Sequence, residues 1–290
     1  MILVSGATGT VGREVARQLA AERPVRLLAR RPENISARGP AVEAVRGDYD
    51  DWDSLREALR GVQSAFLVTN RVTRADDARF VDAARAEGVR HLVKLSAAAV
   101  LDPGANDLIT RWQRGNEARL RSSGLDWTFL RPRAFMSNTL AWSASVRQEQ
   151  VVRALHGSSV NSCVDPRDVA AVAVRALTRR EHRGKAYTLT GPNTISAVEQ
   201  THVLGRVLQM PLDFEELTLP QARAQLLHRY PRPLAEALLE SAVRQREGAK
   251  AEVHGTVLDV TGRPARSFQT WAIDHAEAFG GARRSLTGTP

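Results

Sequence analysis

The first 132 residues alternate short apolar runs with longer segments in which apolar residues recur every three or four positions. The short runs predict six strands, at Ile2–Ser5, Val25–Ala29, Val42–Arg46, Ala65–Thr69, His91–Ser96 and Trp127–Arg131. The longer segments predict helices, because Val11, Val15 and Leu19, for example, share one helical face. Strands that alternate with helices pair in parallel through right-handed crossovers, so we expect an α/β fold with a Rossmann-type doubly wound parallel sheet.

Glycines and one polar pair mark the ends of these predicted helices. Gly61, Gly88 and Gly124 each follow a helical stretch, where a left-handed residue ends a helix at little cost. Ser54 and Glu57 have the spacing of a capping box, which predicts that a helix starts there and continues through "LREAL".

The pattern becomes irregular after residue 132. A strand end and a helix are predicted for residues 163–177, a strand for 185–192 and a helix for 196–208. Residues 220–247 predict two helices that Pro231 and Pro233 separate. We therefore expect a sheet domain at residues 1–132 and a smaller C-terminal α/β lobe, mainly for substrate, at residues 133–290, within one continuous unit.

Composition narrows the class of protein. No apolar run approaches the roughly 20 residues that span a bilayer, so we expect a cytoplasmic protein without a membrane partner. Cys163 is the only cysteine, which excludes a disulfide or a thiolate cluster within one chain, and its surroundings predict a buried, apolar role. The seven histidines lack metal-ligand spacing, so we expect no metal site.

The net charge of +9 raises the question of a nucleic-acid partner. Only three of the 41 basic residues are lysines, namely Lys94, Lys185 and Lys250. The arginines are spread along the chain and interleaved with acids, as in "DDARFVDAARAEG", which is typical of solvated helix faces. We therefore expect a small-molecule substrate and no nucleic acid.

The stretch "LVSGATGTVGREV", residues 3–15, places Gly6, Gly9 and Gly12 between a predicted strand and a predicted helix. Glycine permits the tight turn there and lets the backbone approach a pyrophosphate at the helix N-terminus. A Walker loop is excluded, because no Gly-Lys-Ser/Thr follows. The stretch predicts that residues 1–132 bind a dinucleotide.

The end of the second predicted strand distinguishes the two nicotinamide cofactors. An acid there binds the ribose hydroxyls of NAD, whereas arginine pairs with the 2′-phosphate of NADP. The chain reads "VRLLARRPEN", with Arg30 and Arg31 at this place. NADP(H) is therefore favoured over NAD(H).

At this point the chain resembles the NmrA-like group of atypical short-chain dehydrogenases, which includes quinone reductases, relatives of isoflavone reductase and redox-sensing regulators. The resemblance covers nearly the whole chain. It rests on "GATGTVGREV", "VRGDYDDWDSLREALRGV", "HLVKLSA", "EARLRSSGLDWTFLRPRAFMSN", "DPRDVAAVAVRAL" and "YTLTGPNTIS".

The resemblance implies roles for individual residues. Asp48 would approach the adenine, with a turn or N-capping role in "GDYDD" as the alternative. The other implied cofactor contacts are Thr8, Thr10 and Val11 at the phosphates, Val68, Thr69 and Asn70 at the ribose, and Ser96 with residues 131–135, which include Pro132, near the nicotinamide.

The proton donor of typical short-chain dehydrogenases is missing. Their Tyr-x-x-x-Lys pair places a phenol and a lysine on one helical face, and no tyrosine of this chain has a lysine four residues later. Trp112 and Asn116 occupy approximately those two places, with Glu117 beside them, and these three are the catalytic candidates. Without an acid, a quinone, an enone or an iminium ion is a better acceptor than a simple ketone.

Phe135, Asn138 and Trp142 are the expected substrate contacts, and the two rings suit an aromatic or conjugated acceptor. The leading hypothesis is an NADP(H)-dependent reductase, acting as a monomer or a homodimer. Two alternatives remain open: a sensor that binds NADP(H) without turnover, and an isomerase or cyclase on the same fold.

Overall fold

The computed structural model of the protein describes residues 1–281. Its strands are β1 (Ile2–Val4), β2 (Val25–Ala29), β3 (Val42–Arg46), β4 (Ser64–Leu67), β5 (His91–Leu95), β6 (Asp126–Pro132), β7 (Val151–Ala154), β8 (Lys185–Leu189) and β9 (Asp213–Glu216). Its helices are α1 (Thr10–Ala20), α2 (Trp52–Leu59), α3 (Asp76–Ala86), α4 (Leu108–Arg121), α5 (Ser143–Glu149), α6 (Pro166–Thr178), α7 (Ala197–Leu208), α8 (Leu219–Arg229), α9 (Arg232–Arg246), α10 (Thr256–Thr261) and α11 (Phe268–Asp274).

A seven-stranded sheet runs in the order β3-β2-β1-β4-β5-β6-β8, and every neighbouring pair is parallel. The strand order reverses between β1 and β4, which is the switch point where open α/β sheets bind ligands. The predicted Rossmann-type doubly wound sheet is confirmed. The six strands predicted before residue 132 are confirmed as well, with small shifts at their ends.

The central strands of the sheet are buried on both faces. Every residue of β1 and β4 is buried, as expected for central strands of a parallel sheet. One face packs against α2, α3 and α4 through Leu55, Phe80 and Leu120. Helix α6 packs on α1 and on β5, and the Gln18 amide donates a 3.1 Å hydrogen bond to the Arg167 carbonyl oxygen.

Contacts divide the chain into two compact units. The first unit contains residues 1–132, 166–189 and 256–263, and the second contains 133–165, 190–255 and the residues from 264 onward. The single boundary expected at residue 132 thus differs from this division, because α6 and β8 complete the sheet of the first unit. Residues 282–290 of the expected lobe at 133–290 lie outside the described residues.

The start of α2 corrects one prediction. The capping box at Ser54 and Glu57 is wrong, because the helix begins earlier, at Trp52. Asp51 is the N-cap, and its carboxylate accepts a 3.1 Å hydrogen bond from the Ser54 amide. The Ser54 hydroxyl instead donates to the Asp51 carbonyl oxygen at 2.8 Å. An acidic N-cap also interacts favourably with the helix dipole.

The second unit has a core around Trp271. This fully buried side chain stacks on His275 with 4.3 Å between ring centroids, and it packs with Phe268 and Phe279. Cys163 belongs to the same core, and burial raises the pKa of its thiol to about 12. The predicted apolar role of this cysteine is confirmed.

The second unit also contains the short parallel pair β7-β9 and the helices α8 and α9. The predicted break between two helices near Pro231 and Pro233 is confirmed, since α8 ends at Arg229 and α9 begins at Arg232. Within residues 1–281, none of the helices combines the length and the apolar character needed to cross a bilayer.

Candidate functional site

The turn between β1 and α1 is built from glycines for stereochemical reasons. Gly6 has φ +62°, a left-handed conformation that favours glycine, and its carbonyl oxygen accepts a 2.8 Å hydrogen bond from the Gly9 amide. A Cβ placed on Gly12 would lie 2.1 Å from the Gly6 carbonyl oxygen. Only glycine at this position lets α1 start so close to the end of β1.

The N-terminus of α1 offers backbone amides to an anion. Gly9 precedes the helix without any side-chain cap, and the Arg13 amide makes the first bond of the helix, to the Gly9 carbonyl oxygen. The amides of the first turn therefore have no helical partner. Buried Val11 anchors this turn in the core. Such a terminus suits the diphosphate of a dinucleotide.

A groove of about 710 Å³ lies at the carboxyl ends of β1 to β4. It brings together most of the cofactor residues that the sequence predicts: Gly6, Thr8, Gly9, Arg30, Arg31, Asp48, Val68, Thr69 and Asn70. Tyr49, Asn34 and Arg71 also line it, and sequence reasoning missed all three. The sequence offers one indication of their role, which is that each lies within a few positions of a predicted contact along the chain.

Two positive charges in this groove are available to a ligand. Arg30 and Arg31 follow β2, are exposed, and form no ion pair with any residue between 1 and 281. Arg71, in contrast, pairs with Asp76 at 2.6 Å and with Asp50 at 2.7 Å. The groove thus fits a ligand with a further phosphate near the end of β2.

Asp48 has a turn role and also lines the groove. Its carboxylate accepts a 3.1 Å hydrogen bond from the Asp50 amide, which is a turn role, and its own amide donates to the Ser54 hydroxyl at 3.1 Å. The residue nevertheless lines the groove. The local hydrogen bonds hold Asp48 in place without removing it from the reach of a ligand.

The end of β4 is held by side chains beneath it. The Val68 amide donates to the Ser5 hydroxyl at 2.9 Å, and the Tyr49 hydroxyl donates to the Val68 carbonyl oxygen at 2.9 Å. Burial raises the pKa of Tyr49 well above its usual value, so this phenol stays protonated. Thr69 donates to Asp77, which fixes the next residue of the groove.

The remaining predicted cofactor residues do not line this groove. Thr10, Val11 and Gly12 lie in the first turn of α1, where they shape the helix terminus. Ser96 is buried, and its hydroxyl donates to Glu117 at 2.7 Å. Pro132 is buried at the end of β6. The groove therefore contains the predicted adenosine contacts and, of the residues predicted at the phosphates, Thr8 but not Thr10 or Val11, and it does not contain those expected near the nicotinamide.

Glu117 is held by three side chains. Besides Ser96, Arg131 contacts it at 2.6 Å and Arg121 at 3.1 Å. Burial raises the pKa of this carboxyl, but the hydrogen bonds from Arg131 and Ser96 and the charges of both arginines outweigh burial and hold the pKa below its usual value. At neutral pH Glu117 is an ionised hydrogen-bond acceptor, which argues against a role as proton donor.

The other two catalytic candidates have different surroundings. The buried ammonium of Lys94 lies over the ring of Trp112, 5.4 Å from the ring centroid. The same ammonium is 2.9 Å from a carboxylate oxygen of Asp77. The side-chain amide nitrogen of Asn116 is buried and has no hydrogen-bond partner in the part of the chain that the structure describes. A hydroxyl or carboxyl group is therefore absent from both of these positions.

A second cavity, of about 380 Å³, lies within the second unit. Phe135, Asn138 and Trp142, the three predicted substrate residues, all line it. An aliphatic wall, which sequence reasoning missed, is formed by Leu155, Leu217, Ala222, Leu226 and Leu239. These residues come from the ends of β7 and β9 and from α8 and α9, so no local pattern joins them.

Two arginines line this cavity and differ in their partners. Arg153 is paired with Glu149 and with Glu215, each at 2.7 Å. Arg229, at the end of α8, forms no ion pair within residues 1–281. The cavity thus combines an apolar wall with one cation that is free to bind an anionic group.

The glycine turn and its groove at the switch point of a parallel sheet define the class of the dinucleotide-binding α/β proteins. The sequence profile of the NAD(P)H-binding family matches residues 6–180. The chain belongs to this NAD(P)H-binding family.

Two relatives with assigned activities are similar over nearly their whole length. A (4-alkanoyl-5-oxo-2,5-dihydrofuran-3-yl)methyl phosphate reductase from Streptomyces griseus is 60% identical over 279 residues, which cover 96% of this chain and 99% of the relative. An NAD(P)H azoreductase from Xenophilus azovorans is 37% identical over 287 residues, covering 97% and 100%. The protein is an NAD(P)H-dependent reductase.

The fold agrees with this assignment. The crystal structure of an NADPH-dependent quinone oxidoreductase from Escherichia coli, complexed with NADPH, matches with a TM-score of 0.82 and 25% identity, over 94% of this chain and 98% of the other. The resemblance to the NmrA-like group of atypical short-chain dehydrogenases is confirmed.

The contacts of Glu117 predict a structural rather than a catalytic effect of Glu117→Gln. Because the folded pKa lies below the ordinary 4.5, ionised Glu117 stabilises the fold above that pH, and this stabilisation is lost as the pH falls through the lowered value. We expect Glu117→Gln to lower the free energy of unfolding by about 3 to 5 kcal/mol at neutral pH and to flatten its dependence on acid. Denaturant unfolding at several pH values measures both.

Glu14→Gln is the matched control, because it breaks the exposed ion pair between Glu14 and Arg17 and costs at most about 1 kcal/mol. At a temperature where Glu117→Gln remains folded, its turnover should stay within a few-fold of the parent. Loss of turnover in a fully folded Glu117→Gln protein would contradict the structural role.

Proposed function

We propose that this reductase uses NADPH and reduces the conjugated carbon–carbon double bond of an alkanoyl butenolide that carries a phosphomethyl group, which is a methyl phosphate ester (ring–CH2–O–phosphate). The single observation that carries the proposal is the 60% identity to the Streptomyces griseus reductase, which spans nearly the full length of both chains. The azoreductase relative supports reduction in general but not this acceptor.

The chemistry of such an acceptor suits a protein that lacks the Tyr-x-x-x-Lys pair. Bound NADPH would supply a hydride to the ring carbon bearing the phosphomethyl group, and the π electrons of the double bond would move to the neighbouring ring carbon. That carbon lies between the lactone carbonyl and the alkanoyl carbonyl, so both oxygens share the negative charge. The resulting enolate is weakly basic, and a proton from water completes the reduction without a strong acid from the protein.

Ionised Glu117 supports this division of labour, because the one carboxyl group among the three catalytic candidates is not available as an acid at neutral pH. A simple ketone, in contrast, gives a strongly basic alkoxide and needs a positioned donor. The acceptor itself stabilises the developing charge, so binding and orientation are what the protein has to contribute.

The groove of the first unit supports NADPH as the cofactor. The amides at the start of α1 suit the diphosphate, and Arg30 and Arg31 suit the 2′-phosphate, because both guanidinium groups lack protein partners within residues 1–281. Asp48 and residues 68–70 line the groove where the adenosine would lie.

The cavity of the second unit supports the acceptor. Its aliphatic wall, formed by Leu155, Leu217, Ala222, Leu226 and Leu239, suits an alkanoyl chain. The rings of Phe135 and Trp142 suit a flat conjugated lactone, and Arg229 suits a phosphate. An acceptor with these three parts matches the three kinds of surface in the cavity.

Turnover assays with purified protein test the proposed activity. We expect NADPH oxidation with the phosphorylated alkanoyl butenolide, a kcat/KM lower by roughly tenfold or more for the dephosphorylated compound, and still lower values for a quinone and an azo dye. With deuterated NADPH, mass spectrometry and NMR should find deuterium on the ring carbon that bears the phosphomethyl group. Preference for the quinone, or tight NADPH binding without turnover of any acceptor, would overturn the proposal.

Arg30→Ala and Arg31→Ala test the cofactor. Each loses a charge-assisted contact to the 2′-phosphate, so we expect the KM for NADPH to rise about tenfold or more while the KM for NADH changes little. Arg60→Ala, an exposed arginine after α2, is the control and should leave both values unchanged. An unaltered preference for NADPH in the Arg30→Ala, Arg31→Ala double variant would contradict the assignment.

Ala222→Phe tests the alkanoyl site. A ring at this buried position removes space beside the aliphatic wall, and each displaced methylene costs about 0.8 kcal/mol, so displacing two raises the KM for a long-chain acceptor by roughly tenfold. The KM for a short-chain acceptor should change little. Steady-state kinetics with a series of chain lengths measures the shift.

Ala224→Phe places the same ring on the exposed side of α8 and is the matched control. Ala222→Val repeats the test with a smaller side chain in case the phenyl ring disturbs folding. An equal rise in KM for short-chain and long-chain acceptors would contradict binding of the alkanoyl chain at this wall.

A further inference from the structure

A third cavity, of about 550 Å³, lies in the first unit at the amino ends of the parallel strands. Ile2, Ser64 and His91, the first residues of β1, β4 and β5, line it. The cofactor groove lies at the opposite, carboxyl ends of the same strands. The proposed reductase activity leaves this cavity unused.

The cavity is strongly basic. Five arginines line it, and none of its other lining residues is an aspartate or a glutamate; the arginines are Arg23, Arg90, Arg179, Arg180 and Arg183. Arg183 pairs with Asp126 at 2.7 Å, and Arg179 approaches Glu181 at 3.7 Å. Arg23, Arg90 and Arg180 have no ion-pair partner anywhere in residues 1–281.

Some arginines of the first unit are neutralised by carboxylates, whereas Arg30 and Arg31 of the cofactor groove are unpaired within residues 1–281, like three of the arginines in this cavity. Arg26, Arg56 and Arg71 each pair with a carboxylate at 2.9 Å or less. Guanidinium groups that converge on a concave surface without carboxylates repel one another, and their combined field attracts an anion. The charge pattern of this cavity therefore requires an explanation beyond an ordinary solvated surface.

The positive field reaches the floor of the cavity. His91 is buried there, and burial lowers the pKa of its imidazole to about 4, with the charge of Arg183 as the next cause. Its Nε2 is 2.9 Å from the Thr128 hydroxyl. Gln63, Ser64 and Thr178 add uncharged polar groups to the lining, which suits a ligand with several oxygen atoms.

We propose that this cavity binds a small polyphosphate anion, either inorganic tripolyphosphate or the triphosphate end of a nucleotide, through Arg23, Arg90 and Arg180. Arginine is the residue that binds phosphate oxygens with two parallel hydrogen bonds. The volume lies within the range of small-molecule sites, and a single concavity favours a compact anion over the extended backbone of a nucleic acid.

Calorimetric titration with inorganic tripolyphosphate tests the proposal on the full chain. Saturating NADP+ is included, because Arg30 and Arg31 offer a competing anion site in the cofactor groove. We expect the Arg90→Ala, Arg180→Ala double variant to weaken tripolyphosphate binding by about tenfold or more, since two charge-assisted contacts are lost. NADPH affinity should not change in this variant.

The Arg85→Ala, Arg119→Ala double variant is the matched control. Both residues are exposed on helices of the first unit, so this variant loses the same net charge outside the cavity. Equal weakening in the two double variants would show general charge attraction and would overturn the proposal. Equal binding of sulfate at matched ionic strength would overturn it as well.

NMR titration of His91 gives a second measurement, since a bound anion should raise the pKa of its imidazole in the parent protein but not in the Arg90→Ala, Arg180→Ala variant. Adenosine triphosphate and tripolyphosphate are compared to distinguish the two sources of the anion. A DNA duplex that binds more strongly than either small anion, and whose binding is lost in both double variants, would overturn the proposal. Such a result would indicate a nucleic-acid-binding surface instead of an anion site in the cavity.

Discussion

The close approach of the Gly6 carbonyl to Gly12 is the constraint on which the site depends. A Cβ on Gly12 would lie 2.1 Å from that oxygen, so any other residue there pushes α1 away from β1. This contact fixes the position of the start of α1 and therefore the direction in which its free backbone amides point. The same turn also lies close to Val68, because a Cβ built on Gly6 would be only 3.1 Å from the Val68 Cβ. One steric condition thus aligns the ends of β1 and β4 and the first turn of α1.

The buried charged groups of the first unit form ion pairs and hydrogen bonds with one another. Glu117 is bound by Arg131, Arg121 and Ser96, and Lys94 is bound by Asp77, so partners compensate the charges of these buried groups. A protein with such a site suits an acceptor that stabilises its own negative charge. A proton donor would have to be a buried group whose charged form is not already stabilised by a partner, because such stabilisation makes the change of protonation state costly.

Features that depend on local stereochemistry could be predicted from the sequence, and features that depend on distant contacts could not. The central strand β1 is recognisable because a parallel strand buried on both faces is a continuous apolar run, and the turn from Gly6 to Gly12 is recognisable because few residues tolerate it. The cap of α2 was misplaced because Asp51 and Ser54 both suit an N-cap, and only the observed hydrogen bond distinguishes them. The aliphatic wall of the second unit and the arginine cavity draw on loops and helices far apart in the chain, where periodicity carries no information.

The interleaving of the two units has a consequence for synthesis on the ribosome. Residues 1–132 emerge first, but α6, which packs on α1, and β8, which pairs with β6, follow only after the first segment of the second unit. Until residue 178 has left the exit tunnel, α1 lacks its covering helix, and until residue 189 has left it, the nascent sheet ends at β6 with an unpaired strand edge. Such an edge is a template for pairing with another chain. The order of the segments therefore leaves the edge of β6 open while the protein is half translated, and shielding of that edge from other chains matters during this interval.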